Sequence, residues 1–410
     1  MEPAPRIAQC SPETCVAIIA GGTFNSPGHP VTQKILLVFG TRPEAIKMLP
    51  VAQALAQEPG IEARICVTAQ HREMLDPVLD LFETKPDFDL DVMAQAQGLE
   101  QITTRVLNGI GNVLDEVRPD RMLVHGDTTT TMAASLAAYY KMVPVAHVEA
   151  GLRSGDPLQP WPEEINRRVT DVIADTYFAP TGRSRDNLLR ENLPAKSIHV
   201  TGNTVIDALL AMVTQIENRP KVAAQLAGQF DFLDPDRRIL LVTGHRRESF
   251  GPPFESLCQA IRDLARAYAI QVVYPVHLNP NVQKAVRKVL DGVPHVHLIA
   301  PLDYLPFVYL MTRSYVILTD SGGIQEEAPA LGKPVFLMRN ITERPEGVEA
   351  GTVKLVGTDR ERIFGHVSKV LTDKAAYDRM SRARNPYGDG LAARRIVDIL
   401  ANRTTSEFMA

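Results

Sequence analysis

The sequence predicts an α/β protein of two open parallel sheets in tandem. Three observations carry that prediction. The chain has 410 residues, more than one hydrophobic core usually organises. From Lys34 onward, short β-branched runs alternate with loops and amphipathic stretches, the pattern of parallel strands joined by crossover helices. That series then restarts after a polar stretch containing Asn218-Arg219-Pro220.

Residues 1–33 carry Pro, Ser and Gly without a sustained period and read as a mobile leader outside the fold. An N-terminal α/β domain is expected over 34–203. Its strands are Ile35–Phe39, Ala63–Thr68, Arg121–His125, Val143–Val148 and Thr176–Ala179. The helix after the first strand begins near Pro43, which a first turn tolerates, and sets Ile46, Leu49, Ala52 and Leu55 on one face. A helix from Thr204 opens a C-terminal domain over 204–380, the boundary stretch being 202–236. Strands follow at Arg238–Thr243, Gln271–Tyr274, His295–Leu298, Tyr315–Leu318, Pro334–Met338 and Val353–Val356, and 381–410 holds a last helix and a tail. Ligands of open α/β sheets bind beyond the carboxyl ends of strands, so a cleft between the domains is the expected site.

Composition narrows the function. With 45% hydrophobic and 22% charged residues and a net charge of -4, the chain is not built to hold polyanions by bulk charge. A bound phosphate must meet locally placed cations. No apolar run approaches the roughly 20 residues that span a bilayer, and Cys15–Ala20 is too short for a signal peptide, so a cytoplasmic address is expected. Cys10, Cys15, Cys66 and Cys258 lack ligand spacing and read as free thiols, with neither disulfide nor zinc.

The polar motifs gather just after strands. Gly40-Thr41-Arg42-Pro43-Glu44-Ala45-Ile46-Lys47 is a glycine turn leading into a helix, with Arg42 and Lys47 suited to a diphosphate. Neither GxGxxG nor GxxxxGK[ST] occurs there, which weakens dinucleotide and P-loop readings. His125-Gly126-Asp127-Thr128 offers Asp127 either as a helix N-cap or as a site acid. Glu149 ends the strand of His147-Val148-Glu149, and Glu163 with Arg167 sits four apart on one helical face, where a surface ion pair is the plainer reading. Three acids converging on one site could shift one another's titration and divide acid and base roles. In the second half His245, beside Arg246 and Arg247, follows a strand and suits phosphate contact. Asp320-Ser321-Gly322-Gly323-Ile324-Gln325-Glu326-Glu327 is a small-residue turn whose NH groups can approach phosphate, with a Glu one turn on for the ribose hydroxyls. Arg339 and Arg344 add cations on the next loop.

On these motifs the chain resembles the non-hydrolysing UDP-N-acetylglucosamine 2-epimerases of bacteria. The likeness runs from Ile35 to the last helix through FGTRPEAIKMLP, TAQHREMLD, VHGDTTTT, HVEAGLRSGD, PWPEEINR, TGNTVIDAL, VTGHRRESFG, YPVHLNPNV, LTDSGGIQEEAPALGKPV and TERPE. It implies two Rossmann-like, doubly wound parallel-sheet domains facing a central cleft, as in B-type glycosyltransferases, with the last helix crossing back to the first domain. It also implies a homodimer acting on UDP-GlcNAc and UDP-ManNAc, with no cofactor, metal, nucleic acid or membrane. Matching catalytic positions are Asp127, Glu149, Glu163, Arg167 and His245. Matching substrate contacts are Arg42, Lys47, Phe307, Ser321, Gly322, Gly323, Glu327 and Arg344, besides Asp127, Glu149 and His245. Gln70, Arg246 and His277 align with an allosteric UDP-GlcNAc site, although Glu73 stands where some activated members have Gln. The implied reaction inverts C2 by expelling UDP to a 2-acetamidoglucal and returning it. A B-type UDP-sugar glycosyltransferase and a non-catalytic UDP-sugar sensor are the alternatives.

Overall fold

The computed structural model describes residues 33–69, 72–93, 97–244 and 251–409. The chain divides into two compact units. The first runs to Ala179 and takes in 184–199 and 393–407; the second holds 180–183, 200–392 and 408 onward. The change of unit at Val200, ahead of the expected 203/204 boundary, has a local cause. Asn203 already donates its backbone N–H to the Tyr387 carbonyl at 2.7 Å and its side chain to Glu326 at 3.2 Å. The return comes at Ala393 rather than at 381, because Asn385 bonds the Glu326 carbonyl and Ala392 donates to Asp207.

In the first unit β1 (Gln33–Phe39), β2 (Ile61–Val67), β3 (Phe88–Asp89), β4 (Arg121–His125), β5 (Val145–Val148), β6 (Thr176–Ala179) and β7 (Ile198–Val200) form a sheet in the order β3-β2-β1-β4-β5-β6-β7. In the second, β8 (Arg238–Thr243), β9 (Ile270–Pro275), β10 (Val296–Ile299), β11 (Ser314–Thr319), β12 (Val335–Leu337) and β13 (Val353–Leu355) are ordered β10-β9-β8-β11-β12-β13. The described pairings are parallel. Both sheets are therefore doubly wound, and their order reverses between β1 and β4 and between β8 and β11. The edge strands β3 and β7 were not anticipated; they are two and three residues long, too short to show a periodic pattern.

Helices on both faces explain the continuous apolar strands. Ile35 to Phe39 is wholly buried. Leu36, Val38 and Val124 pack on Ile102, Val106 and Ile110 of helix Leu99–Val117 and on Ala133, Ala134 and Ala137 of helix Thr129–Tyr140. The second core sets Leu240, Val242, Val272 and Leu318 against Leu257, Ile261 and Leu264 of helix Pro252–Ala267. Each such aliphatic side chain contributes about 1.5–3 kcal/mol on burial. Helix Arg42–Ala56 buries Leu49, Ala52 and Leu55 as expected, with Ile46 half-buried. Cys66 and Cys258 are free and buried, and burial pushes each thiol up to about 12; Cys10 and Cys15 lie outside the described residues. Among the described residues no helix is long and apolar enough to cross a membrane, and no cluster of metal-ligating side chains occurs.

Candidate active site

Each unit carries its motif residues at the turns where its own strand order reverses. After β1, Gly40 is required by space: a Cβ there would lie 2.0 Å from Thr68 Oγ1 and 2.8 Å from Thr130 Oγ1. The chain then turns into helix Arg42–Ala56 under one buried carboxylate, Glu44. It accepts from Gly40 N (3.0 Å), Thr41 N (2.7 Å), Thr128 Oγ1 (2.7 Å) and Thr131 Oγ1 (3.2 Å). Burial raises the Glu44 pKa, and the hydrogen bonds from Thr128, Gly40 and Thr41 oppose that rise. One side chain thus fastens the β1 turn to the β4 turn, and no motif reading assigned it that work.

Arg42 opens this helix, and Lys47, one turn on, pairs with Glu149 Oε1. Glu149 holds a left-handed backbone, φ 64°, uncommon for a residue with a side chain. Its other oxygen is 3.6 Å from His125 Nε2. Neither ring nitrogen of His125 makes a hydrogen bond among the described residues. Burial drives its pKa down to about 3, Glu149 pulling it up and Lys47 pushing it further down. The ring is consequently neutral at pH 7.

Asp127 is freed from capping, because Thr128 caps helix Thr129–Tyr140 by accepting from Thr131 N at 3.1 Å. Its carboxylate takes Arg167 Nη2 at 2.5 Å, and its carbonyl takes Asn166 Nδ2 at 3.0 Å. The plainer expectation of a Glu163–Arg167 pair does not hold: Arg167 turns to Asp127 and, at 3.5 Å, to Glu164. Half-buried Glu163 has its Oε2 shielded and without a hydrogen bond among the described residues. The neighbouring Glu164 is wholly buried and accepts from Ser154 N at 2.9 Å and Gly155 N at 3.3 Å, which makes it the structural member of the two.

Under this turn lies a second charged set that the motifs did not single out. His147, wholly buried, has Nδ1 2.6 Å from Asp171 Oδ1 and Nε2 2.7 Å from the Gly126 carbonyl. Asp171 also accepts from Arg153 at 2.7 Å. Burial alone would raise the Asp171 pKa, but His147 and Arg153 outweigh it and hold the carboxyl below its usual range.

In the second unit, Ser321, Gly322 and Gly323 begin helix Gly322–Ala330 directly after β11. A Cβ on Gly322 would lie 2.7 Å from Arg344 Nη1. Arg344 is itself pinned, donating Nε to Glu326 at 2.6 Å and Nη1 to Glu343 at 3.1 Å, while its carbonyl accepts from Tyr387 at 3.0 Å. Glu327 is buried and accepts from Tyr304 OH at 2.8 Å. Tyr304 opens helix Tyr304–Arg313, which also carries the half-buried Phe307. Arg339 pairs with Glu343 at 2.7 Å. At the end of β8, Thr243 and Thr319 hydroxyls are 2.6 Å apart, and Tyr274 OH donates to the Gly244 carbonyl at 2.8 Å. His245, Arg246 and Gln70 lie outside the described residues, as does the Glu73 side chain. His277 is exposed beyond β9 and accepts from Asn279 N at 3.0 Å.

The first unit therefore concentrates carboxylates, cations and a neutral imidazole, and the second offers a small-residue helix N-terminus suited to phosphate. The family described as UDP-N-acetylglucosamine 2-epimerase matches residues 53–401. The chain belongs to that family. The UDP-N-acetylglucosamine 2-epimerase of Yersinia pestis is 59% identical over 370 residues, covering 90% of this chain and 98% of the relative. That of Escherichia coli K12 is 58% identical over 374 residues, 91% of this chain and 100% of the relative. The crystal structure of UDP-GlcNAc 2-epimerase from Neisseria meningitidis bound to UDP-GlcNAc superposes with a TM-score of 0.84 at 49% identity, over 90% of this chain and 100% of that one. The two doubly wound units are thus this family's fold.

Proposed function

We propose that the chain interconverts UDP-N-acetylglucosamine and UDP-N-acetylmannosamine by eliminating UDP and adding it back. What supports this reading above all is the set formed by Asp127 with Arg167 and Glu149 with Lys47, beside the shielded Glu163, in a chain of this family. The C2 hydrogen is next to no carbonyl, so its direct removal is poor chemistry. Expelling UDP changes that. A carboxylate takes the C2 proton, the C–H electron pair becomes the C1=C2 bond, and the C1–O bond breaks with its electrons going to UDP. The resulting 2-acetamidoglucal is then protonated at C2 from the opposite face while a UDP oxygen re-forms the C1 bond. Two-sided proton transfer needs two differently placed acid–base groups, and Asp127, Glu149 and Glu163 supply them. Arg42, Lys47, His245 and the NH groups of Ser321–Gly323 stabilise the departing diphosphate, Glu327 takes the ribose hydroxyls, and Phe307 and Arg344 complete the nucleotide contacts. Gln70, Arg246 and His277 hold a second UDP-GlcNAc as activator, and the enzyme acts as a cytoplasmic homodimer supplying ManNAc units for cell-surface polysaccharide.

Incubation with UDP-GlcNAc alone in heavy water, followed by proton NMR, tests the reading. The expected result is a mixture of the two epimers with deuterium at C2. Product without solvent hydrogen overturns the elimination. No turnover until an acceptor is added assigns a transferase, and binding without isotope exchange assigns a sensor.

A further inference from the structure

The second unit carries a concavity at the end of its sheet opposite to the motifs above. A cavity of about 420 Å³ is lined by Arg238 at the start of β8, Ser314 and Tyr315 at the start of β11, and Lys333 just before β12. Its volume falls in the range of ligand pockets, about 300–1,000 Å³. Arg238 and Thr243 are the two ends of β8, so this cavity and the β8–β11 turns are separated by roughly 16 Å of strand.

Its walls combine cations with flat rings. Four basic side chains, Arg237, Arg238, Arg313 and Lys333, line it against one carboxylate, Asp234. Asp234 is 3.3 Å from Arg237 and so is already spent on one of them. Two stacked ring pairs stand among these cations: Phe230 on Tyr309, centroids 5.7 Å apart and 11° from parallel, and Tyr315 on Tyr377, at 4.1 Å and 14°. The Arg238 guanidinium sits 4.4 Å over Tyr315, and that of Arg313 sits 5.6 Å over Tyr309. Lys333 is half-buried, and burial alone, with no acid opposing it, pushes its pKa below the ordinary lysine value.

Helix ends explain some of these cations singly. Arg313 closes helix Tyr304–Arg313, and Arg238 donates to the Leu371 carbonyl at 3.1 Å. They do not explain why four converge, with two ring pairs, on one hollow holding a single acid. Like charges gathered in a concavity repel one another and draw in a counter-anion. Guanidinium groups fit phosphate oxygens in bidentate fashion, and aromatic walls favour a planar partner.

We propose that this cavity is a second ligand site, for a small aromatic phosphate whose anion meets Lys333 and Arg313. Its ring packs against the edges of Tyr309 and Tyr315, their faces being covered by Phe230, Tyr377 and the two guanidinium groups. Calorimetric titration of the full chain with phenyl phosphate tests it, with Lys333→Gln and Arg313→Gln separating this cavity from any nucleotide site. Inorganic phosphate and benzyl alcohol serve as anion-only and ring-only probes. Phenyl phosphate is expected to bind at one site per chain, at least about tenfold tighter than either half-probe. Lys333→Gln and Arg313→Gln, made separately, should each weaken it about tenfold while UDP affinity stays at the parent value and reports an intact fold. Absence of binding at millimolar phenyl phosphate overturns the proposal. So does unchanged affinity in both variants, or inorganic phosphate binding equally well.

Discussion

The β1/β4 turns and the β8/β11 turns hold equivalent places in two sheets of the same strand order, yet they are furnished differently. The first is crowded with interlocked charge: Lys47 with Glu149, Arg167 with Asp127, and buried Glu44 gathering four donors. It also holds a strained backbone at Glu149. The second puts two glycines at a helix start and pins one arginine beside them through Glu326 and Glu343. The difference teaches that one scaffold can be furnished differently by its turns alone, and on the proposed function the first turn would move protons while the second would hold a phosphate. Breaking each turn separately should therefore damage different kinetic quantities.

The largest effect belongs to the first unit. Glu149→Gln keeps the shape and removes the charge that Lys47 and His125 face. Turnover is expected to fall about 10²- to 10⁴-fold, the scale of a lost acid–base group, with UDP affinity changed less than about threefold. Asp127→Asn should behave alike. Stopped-time epimerisation assays beside UDP titration read both, and a fall in UDP affinity matching the fall in turnover would erase the proposed division. Next comes Gly322→Ala. Its added Cβ, 2.7 Å from Arg344 Nη1, must displace a guanidinium that Glu326 and Glu343 already hold. The expected signature is the reverse one: UDP affinity down about ten- to a hundredfold, with turnover at saturation within about threefold of the parent.

How much of this contrast was legible in the sequence follows from the range of the interactions. β4, β6 and β8 and the start of helix Thr204–Asn218 agree with their expected positions, because β-branched runs and an Asn cap are local signals. Asp127 and Glu149 stand out in the sequence because they follow strands in polar motifs, and Lys47 and Arg167 because they lie in charged helical motifs. Glu44 could not be given its role, since its threonine partners lie 84 and 87 residues away and no local spacing reveals them. His147, Asp171 and Arg153 form their set across 18 to 24 residues, through a fold the linear pattern does not display. Glu163 and Glu164 show the same limit at close range: adjacent identical residues point in different directions, and only packing decides which is buried.

Structural roles in the first turn give smaller, non-kinetic effects. Glu44→Gln keeps an acceptor for Gly40 N and Thr41 N but turns an NH₂ toward the Thr128 and Thr131 hydroxyls, which must then switch from donating to accepting. The expected loss is about 1–3 kcal/mol in denaturant unfolding, with activity in the folded fraction less affected than stability. Gly40→Ala should cost a similar about 1–3 kcal/mol, because neither buried Thr68 nor Thr130 can retreat from the added methyl. Unfolding midpoints equal to the parent for both would remove the fastening role given to this turn.

The smallest effect is a slope in pH, and it sharpens the comparison because the two units differ in their histidines. His125 is buried with its pKa lowered to about 3 from an ordinary 6.5, whereas His297 and His366 in the second unit are more open and only lowered. Between those two values the unfolded chain binds the His125 proton and the folded chain does not. Stability must then fall as pH drops from about 6.5 toward 3, by up to about 1.4 kcal/mol per pH unit for this one group. Glu149 and Lys47, the charges facing the ring, remain in a His125→Gln variant, as do the other histidines. Whatever its absolute stability, that variant should show a shallower slope in this window when unfolding is measured across it. An unchanged slope would mean that His125 takes up its proton without unfolding, and the neutral imidazole beside Glu149 would have to be given up.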